Sequence, residues 1–306
     1  MTAHRSAEEV VAGLDLRGKT IAVTGVSSGL GVESARVLAK AGARVIGAAR
    51  DLDKARAALE GSDVELVPLD LTSLASVRAC AAAIDERAPR LDVLLNNAGI
   101  MACPRGATKD GFELQFGTNH LGHFLLTCLL VPKLVASAPA RIVNLSSRGH
   151  LLSAVDLDDP NFARGDYDAW RAYGRSKSAN VLFAVELDRR LRARGVRANA
   201  VHPGGIMTEL GRHLTPEAIA EMRARFAARG PVTFKDVPHG AATQVWAAVS
   251  PELEGVGGRY LEDVRISEPA RDESSSSGYA AHAVDPEIAK SLWTLSEKLV
   301  GQTFAF

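Results

Sequence analysis

A tyrosine and a lysine four residues apart, Tyr173 and Lys177 in the segment YGRSK, are the residues best suited to proton transfer. This spacing places both side chains on one face of a helix. A phenol has an ordinary pKa of about 10, and a neighbouring ammonium group favours its ionised form. The pair therefore predicts a tyrosine whose lowered pKa lets it give or take a proton near neutral pH.

A glycine-rich turn, TGVSSGLG at residues 24–31, lies upstream of that pair and follows a short β-branched segment. Its glycine spacing is GxxxGxG, which differs from the GxGxxG fingerprint of many dinucleotide-binding proteins. Glycines in such a turn let the backbone approach a pyrophosphate, and the following helix offers free N–H groups to the phosphates. We therefore expect a dinucleotide to bind here, with an ordinary strand-to-helix turn as the alternative.

The end of the second predicted strand bears on the choice between NAD and NADP. A carboxylate at this point accepts a hydrogen bond from the adenosine ribose, whereas an arginine binds a 2′-phosphate. Ala49 and Arg50 stand there, which favours NADP(H) and leaves NAD(H) open. Asp51 follows immediately and weakens this inference, and the alternative is that Arg50 is an ordinary solvated cation.

The segments that must position these residues alternate between strand and helix patterns. Such alternation predicts an α/β, doubly wound Rossmann fold, in which helices cover both faces of a central parallel sheet. No linker or repeat interrupts the pattern, so we expect a single domain over residues 1–306. A capping box of Ser6 and Glu9 predicts a short first helix. Strands are predicted at 19–25, 43–49, 64–70, 91–97, 140–146 and 196–203, and further helices from the glycine turn to Gly42 and at 52–59, 73–87, 112–137, 168–194, 236–249 and 286–300.

Two segments depart from this alternation, residues 148–172 and 205–235. Both follow the carboxyl ends of predicted strands, where ligands bind in open parallel sheets. We expect both to cover a substrate, with ordinary surface loops as the alternative. An amphipathic helix is predicted at 217–228 in the second segment. The first contains apolar residues that would wall a hydrophobic pocket, namely Leu151, Leu152, Phe162 and Trp170.

Charge and hydropathy argue against several kinds of partner. The formal net charge is zero, from 36 acidic and 36 basic residues, so we expect no nucleic-acid partner. The N-terminal residues 1–19 lack the apolar stretch of a signal peptide. The longest apolar stretch, 124–132, is shorter than the roughly 20 residues that span a membrane. We therefore expect a soluble, cytoplasmic protein with no membrane partner.

Cysteine and histidine spacing predicts no metal site. Cys80, Cys103 and Cys128 are widely spaced and form no CxxC motif, so we expect reduced thiols that serve packing. His120 and His123 lie three residues apart without a third ligand nearby. Structural zinc sites use four ligands, so packing or helix capping is the preferred interpretation of the two histidines.

A set of six motifs closely resembles the short-chain dehydrogenase/reductase family. The resemblance runs in order over residues 19–208. Other segments, such as ARDLDKA and NHLGHFLLT, look like the retinol-dehydrogenase and WW-domain-oxidoreductase branch of that family. The six motifs are TGVSSGLG, NNAG (96–99), Asn119 in TNHLGHF, Ser147 in VNLSS, YGRSK and HPG (202–204).

The resemblance implies a role for each matching residue. Asn119 would bend its helix and hold a water, and Ser147, in preference to Ser146, would bind the substrate oxygen. Tyr173 would be the general acid/base, and Lys177 would bind the nicotinamide ribose and lower the tyrosine pKa. Asp70 would contact the adenine. The implied cofactor-binding set is Gly25, Ser27, Ser28, Gly29, Leu30, Gly31, Arg50, Asp70, Leu71, Asn97, Ala98, Gly99, Tyr173, Lys177, Pro203, Gly204, Ile206 and Thr208.

The function implied by this resemblance is hydride transfer between a nicotinamide and a carbonyl or alcohol of a hydrophobic small molecule. The expected enzyme is an NADP(H)-preferring oxidoreductase of the ketoreductase or alcohol dehydrogenase type. Two alternatives stay open: a C=C bond reductase of the same family, and a non-catalytic NADP(H) sensor. A homo-oligomer is also left open.

Overall fold

Ten strands can be assigned in the computed structural model, which describes residues 5–212, 214, 215, 217, 219, 220, 224, 234–271, 275 and 277–306. All six predicted strands are present within one or two residues of their expected ends. In chain order the strands are β1 (Thr20–Thr24), β2 (Arg44–Ala49), β3 (Val64–Pro68), β4 (Val93–Asn96), β5 (Ala140–Leu145), β6 (Val196–His202), β7 (Gly205–Ile206), β8 (Phe234–Lys235), β9 (Tyr260–Glu262) and β10 (Arg265–Ile266).

Eight of these strands form one sheet in the order β10-β9-β6-β5-β4-β1-β2-β3, and β7 pairs with β8 in a separate two-stranded sheet. Neighbouring strands of the large sheet run parallel except at its β9–β10 edge, which is antiparallel. The strand order reverses between β1 and β4, and a crevice opens at the carboxyl ends of the strands at such a switch point. The sheet is the doubly wound, mostly parallel sheet that the alternation predicted.

Helices cover both faces of the large sheet. Most begin at a polar N-cap whose side chain accepts from a first-turn N–H group; in α1 the predicted capping box of Ser6 and Glu9 is complete. The predicted helices agree with those observed within a few residues. They are α1 (Ala7–Val11), α2 (Gly29–Lys40), α3 (Leu52–Ala58), α4 (Leu74–Arg87), α5 (Leu114–Ala136), α6 (Ala169–Leu191), α7 (Val237–Val249) and α8 (Pro286–Val300).

Two apolar layers sandwich the sheet. One packs α4, α5, α6 and α8 against one face, and the other packs α1, α2 and α7 against the opposite face. Helix α5 is long and apolar enough to cross a bilayer, yet 72% of its most apolar window is buried inside the protein. Its apolar surface is therefore used in the core.

The three cysteines are free and buried. Burial raises the pKa of the Cys80 thiol to about 12 and that of the Cys103 thiol to about 11. Burial also raises the pKa of Cys128 well above its ordinary value. The expectation of reduced, packed thiols agrees with this arrangement.

The helix predicted at 217–228 falls mostly outside the described residues. The edge strands β9 and β10, in contrast, are described and were absent from the predicted strands. They form a tight hairpin whose two turn residues, Asp263 and Val264, have φ values of 48° and 57°.

Candidate active site

A cleft of about 2030 Å³ lies at the carboxyl ends of the parallel strands. Its lining includes every residue of the expected cofactor-binding set except Gly31, and it also includes Ser147. Asn119 does not line it. The cleft therefore brings together residues from all six predicted strand ends.

The glycine turn is shaped so that a ligand and the neighbouring backbone can approach it closely. Gly25 has a φ of 80°, and a Cβ at that position would lie 2.8 Å from the Cα of Ala98. A Cβ on Gly31 would collide with the Gly25 carbonyl oxygen, so Gly31 allows α2 to pack on the turn and does not itself face the cleft. Among the described residues, Ser28 is the N-cap of α2 but its side chain caps none of the helix N–H groups. Those N–H groups are available to a phosphate, so a dinucleotide pyrophosphate fits the turn.

Arg50 and Asp51, the two residues that follow β2, have different environments. Arg50 is exposed and lines the cleft. The Asp51 carboxylate is the N-cap of α3 and accepts a hydrogen bond of 2.9 Å from the Lys54 N–H group. The Asp51 carboxylate, which weakened the inference of an NADP(H) preference from the sequence, is thus bound to the N-terminus of α3.

An ion pair crosses the cleft close to this point. Lys54 on α3 pairs with Glu209, which also accepts a hydrogen bond from Ser28. These interactions, led by the hydrogen bond from Lys54, hold the pKa of the Glu209 carboxyl below its ordinary value. The ion pair therefore links α3 to the segment that follows β7.

Asp70 and Asn97 line the cleft, and their side chains also hold backbone turns. The Asn97 amide donates to the Thr24 carbonyl at 2.8 Å. One Asp70 oxygen accepts from the N–H and hydroxyl groups of Thr72 at 3.0 and 2.7 Å, and the other pairs with Lys109 at 2.9 Å. Burial opposes ionisation of Asp70, but these partners outweigh it and lower the pKa of the carboxyl.

Tyr173 and Lys177 lie together on α6 and line the cleft, as the four-residue spacing predicted. The lysine Nζ is 5.7 Å from the centroid of the tyrosine ring and donates to the Leu145 carbonyl at 3.0 Å. Both residues are about 3% exposed.

The predicted lowering of the Tyr173 pKa is wrong, because burial shifts it in the opposite direction. Burial raises the pKa of Tyr173 to about 12, opposed by a hydrogen bond with the Ser147 side chain. Burial also lowers the pKa of Lys177 to about 7. Because desolvation disfavours charge on both groups, it outweighs the attraction that the sequence argument considered.

The two adjacent serines have different environments. The Ser146 hydroxyl is buried and donates to the Lys177 carbonyl at 2.8 Å. The Ser147 oxygen lines the cleft, accepts from the Gly149 N–H group at 3.0 Å and contacts Tyr173. The geometry favours Ser147 as the serine that meets a ligand.

Asn119 lies behind the cleft wall at the centre of a π-helical turn, Gly117–Leu121, inside α5. Its amide nitrogen donates to the Ile100 carbonyl and to Ser176, each at 2.9 Å, and its oxygen accepts from the Ile100 N–H group at 2.9 Å. The Asn119 main-chain carbonyl lies 3.0 Å from Nδ1 of His123. The helix distortion is present at the predicted residue, and its side chain joins α5 to α6 and to the loop after β4.

Both helix histidines have structural contacts. His123 lies 3.0 Å from the Thr24 hydroxyl, and His120 lies 2.8 Å from that of Ser296. Burial lowers the pKa of His120 to about 3 and that of His123 to about 4. These contacts support the packing interpretation.

An apolar wall borders the tyrosine. Trp170 packs edge-on against Tyr173 with ring centroids 6.3 Å apart, and both rings are buried. Met101, Leu152 and Leu214 pack against this pair. Of the four apolar residues of segment 148–172 that were predicted to wall the pocket, Trp170 lines the cleft. The prediction is wrong for the other three, because they pack away from the cleft: Leu151, Leu152 and Phe162.

A second wall of the cleft was not predicted from the sequence. Lys235 on β8 pairs with Asp263 of the hairpin at 2.5 Å, and its stem would lie 3.1 Å from a Cβ on Gly204. Glu262 and Arg265 line the cleft beside them. An alternation of apolar and polar residues over 260–266 could have indicated these strands. Strands of three and two residues, however, are too short to show such a period.

A doubly wound sheet with a glycine turn and a buried tyrosine–lysine pair at one cleft defines a dinucleotide-binding oxidoreductase. The chain belongs to the short-chain dehydrogenase/reductase family, because the sequence model for short chain dehydrogenase matches residues 19–218. It is therefore an NAD(P)-dependent oxidoreductase.

Relatives agree with this assignment. Human retinol dehydrogenase 13 is 44% identical over 294 residues, covering 93% of this chain and 85% of the relative. A crystal structure of an uncharacterised protein from Mycobacterium paratuberculosis has a TM-score of 0.75 and 37% identity, covering 97% of this chain and 98% of that one. The RhlG/NADP active-site complex of Pseudomonas aeruginosa has a TM-score of 0.64 and 29% identity, covering 81% and 95%.

Proposed function

We propose that this enzyme interconverts a carbonyl and an alcohol on a hydrophobic small molecule, with a preference for NADP(H) and with Tyr173 as general acid/base. The observation that carries the proposal is the contact between the Tyr173 and Ser147 side chains at the cleft. This contact places two hydroxyl groups where one substrate oxygen can meet both.

The nicotinamide, when bound, supplies or accepts the hydride. During carbonyl reduction, negative charge develops on the substrate oxygen and must be stabilised. Ser147 would donate a hydrogen bond to that oxygen, since its own oxygen already accepts from the Gly149 N–H group. Tyr173 is protonated at neutral pH because burial raises its pKa to about 12, so it holds the proton that the product alcohol needs. Lys177 would bind the nicotinamide ribose from the same helix.

The substrate class follows from the wall beside the tyrosine. Trp170, Met101 and Leu214 line the cleft and belong to one apolar cluster with Tyr173. A ketone or aldehyde with an extended apolar group would bury that group against this wall and gain free energy from its removal from water. The name of the human relative, retinol dehydrogenase 13, is consistent with such a substrate.

Replacing Tyr173 by phenylalanine tests the chemical role. We expect NADPH oxidation with an accepted hydrophobic ketone to fall by at least about 100-fold, because proton transfer by a positioned side chain contributes that much. Cofactor affinity, measured by fluorescence titration, should change little. A Tyr173→Phe enzyme with wild-type rates would refute the assignment. Product analysis of the wild type separates carbonyl reduction from C=C reduction.

The cofactor preference is supported by the exposed Arg50 at the cleft and by the engagement of Asp51 with α3. Arg50→Ala should weaken NADPH binding by about 10- to 100-fold, since a charge-assisted hydrogen bond contributes about 1.5–3 kcal/mol, and should leave NADH binding unchanged. Arg56→Ala is the matched control, because Arg56 lies on α3, pairs with Asp53 and is outside the cleft lining. Equal effects on the two cofactors would contradict the Arg50 argument.

A further inference from the structure

His150 is a buried residue that the reaction described above does not use, although its ring contacts the turn that carries Ser147. The side chain is 0% exposed. Its Nδ1 lies 2.7 Å from the Ser147 carbonyl oxygen, and its Nε2 lies 3.2 Å from the Ala280 N–H group. A carbonyl only accepts and a backbone N–H only donates, so these two bonds specify the neutral tautomer with the proton on Nδ1.

The backbone of His150 is tied to the catalytic helix as well. Its carbonyl accepts from the Ser178 hydroxyl at 3.1 Å and lies 3.2 Å from Nε2 of His282. Ser178 directly follows Lys177 on α6. The turn at 147–150 is therefore held between the helix of the tyrosine–lysine pair and the segment 280–282 near the C-terminus.

Space around the turn is restricted on the side of the tyrosine. A Cβ on Gly149 would lie 2.7 Å from a ring carbon of Tyr173. The turn cannot move toward the tyrosine, and the two bonds of the His150 ring oppose movement away from it. Small displacements matter here, since a misplacement of about 1 Å can cost about 100-fold in rate.

We infer that His150 is a positioning residue that holds Ser147 against the Tyr173 hydroxyl through its Nδ1–H bond to the Ser147 carbonyl. The inference rests on the proposed function, in which Ser147 binds the substrate oxygen. The His150 ring also packs on Tyr260 with centroids 4.8 Å apart, so its volume alone is a competing explanation that the experiment must separate.

Three substitutions separate hydrogen bonding from volume. In His150→Asn the amide nitrogen can take the place of Nδ1 and donate to Ser147. In His150→Gln the longer side chain places its amide oxygen at the Nε2 position, where it accepts only from the Ala280 N–H group. His150→Phe fills the volume of the histidine ring and makes neither hydrogen bond. We expect kcat to fall about 10- to 100-fold in the Phe and Gln variants, with unchanged cofactor affinity, and to recover most of its wild-type value in the Asn variant.

Hydrogen–deuterium exchange of residues 146–153 in the cofactor-free protein gives a readout that is independent of turnover. Exchange should be faster in the Phe and Gln variants and close to wild type in the Asn variant. Equal behaviour of the Asn and Gln variants, in kcat or in exchange, would overturn the inference, as would losses that follow thermal stability alone. If the wild type reduces no carbonyl and oxidises no alcohol, the proposed function fails, while exchange still decides whether His150 holds the turn. If the Phe variant does not fold, the Asn and Gln pair decides.

Discussion

Lys177 shows how burial controls charge at the residue scale. Its side chain donates to one backbone carbonyl, and burial lowers its pKa from 10.5 to about 7. A carboxylate partner is absent from its contacts among the described residues. The same desolvation keeps Tyr173 protonated. The pair is thus a protonated phenol beside a lysine whose charge changes near physiological pH.

This pKa shift has a signed consequence for stability. In the folded state Lys177 loses its proton near pH 7, whereas in the unfolded state it keeps the proton up to about pH 10.5. Between these values the unfolded state binds more protons, so the free energy of unfolding should rise with pH. Lys177→Met should therefore stabilise the protein most at or below neutral pH, with the difference from wild type shrinking toward pH 9.

Urea unfolding at several pH values measures this effect. Lys290→Met is the matched control, because Lys290 is exposed on α8. A pH-independent difference between Lys177→Met and the wild type would show that the lysine keeps its ordinary pKa.

At the scale of elements, the π-helical turn in α5 is fixed by one side chain. Asn119 satisfies both backbone groups of Ile100 and a buried serine on α6. It therefore sets the distance between the loop after β4, which carries Gly99, and the helix that carries Tyr173. A regular α-helix through this point would direct that amide elsewhere.

Removal of this amide should be costly. Asn119→Ala leaves the N–H and carbonyl groups of Ile100 without their partner, and each unsatisfied buried group costs about 1–3 kcal/mol. We expect the urea midpoint to fall by an amount equivalent to about 3 kcal/mol, together with weaker cofactor binding. An unchanged midpoint would mean that water replaces the amide in these contacts.

The long strands and helices could be predicted from the sequence, but the ionisation states of Tyr173 and Lys177 could not. Strands such as β1 (TIAVT) and β5 (ARIVNL) are short, mostly apolar and β-branched runs that end in polar turns, so their ends were predictable. The apparent effect of Lys177 on Tyr173 depends on solvent exposure, which spacing does not give. The hairpin at Asp263 has no glycine where φ is positive, so the usual turn signal was missing and the wall formed by Lys235 was overlooked.

At the scale of the whole molecule, the C-terminal helix closes one side of the core. Trp293 on α8 packs against Phe124 of α5 with ring centroids 5.0 Å apart and against Phe183 of α6 at 6.0 Å. The Arg190 guanidinium lies 4.1 Å from the centre of its ring. The end of the chain thus secures the two helices that carry the site residues Asn119 and Tyr173.

Truncation of this tryptophan should destabilise the whole domain. Trp293→Ala is expected to lower the free energy of unfolding by about 3–5 kcal/mol, the range for large aromatic side chains in cores. Trp293→Phe keeps part of the packing and should lose much less. Calorimetry on both variants checks this, and equal midpoints for the alanine variant and the wild type would contradict the packing role.

The burial of all three cysteines has a practical consequence for experiments on this enzyme. With each sulfur enclosed and its thiolate disfavoured, maleimide dyes have little to attack on the native surface. An engineered cysteine at an exposed position would then accept a fluorophore selectively. Fluorescence could then measure distances between labelled positions, and their change when a dinucleotide is added, without first replacing the native cysteines.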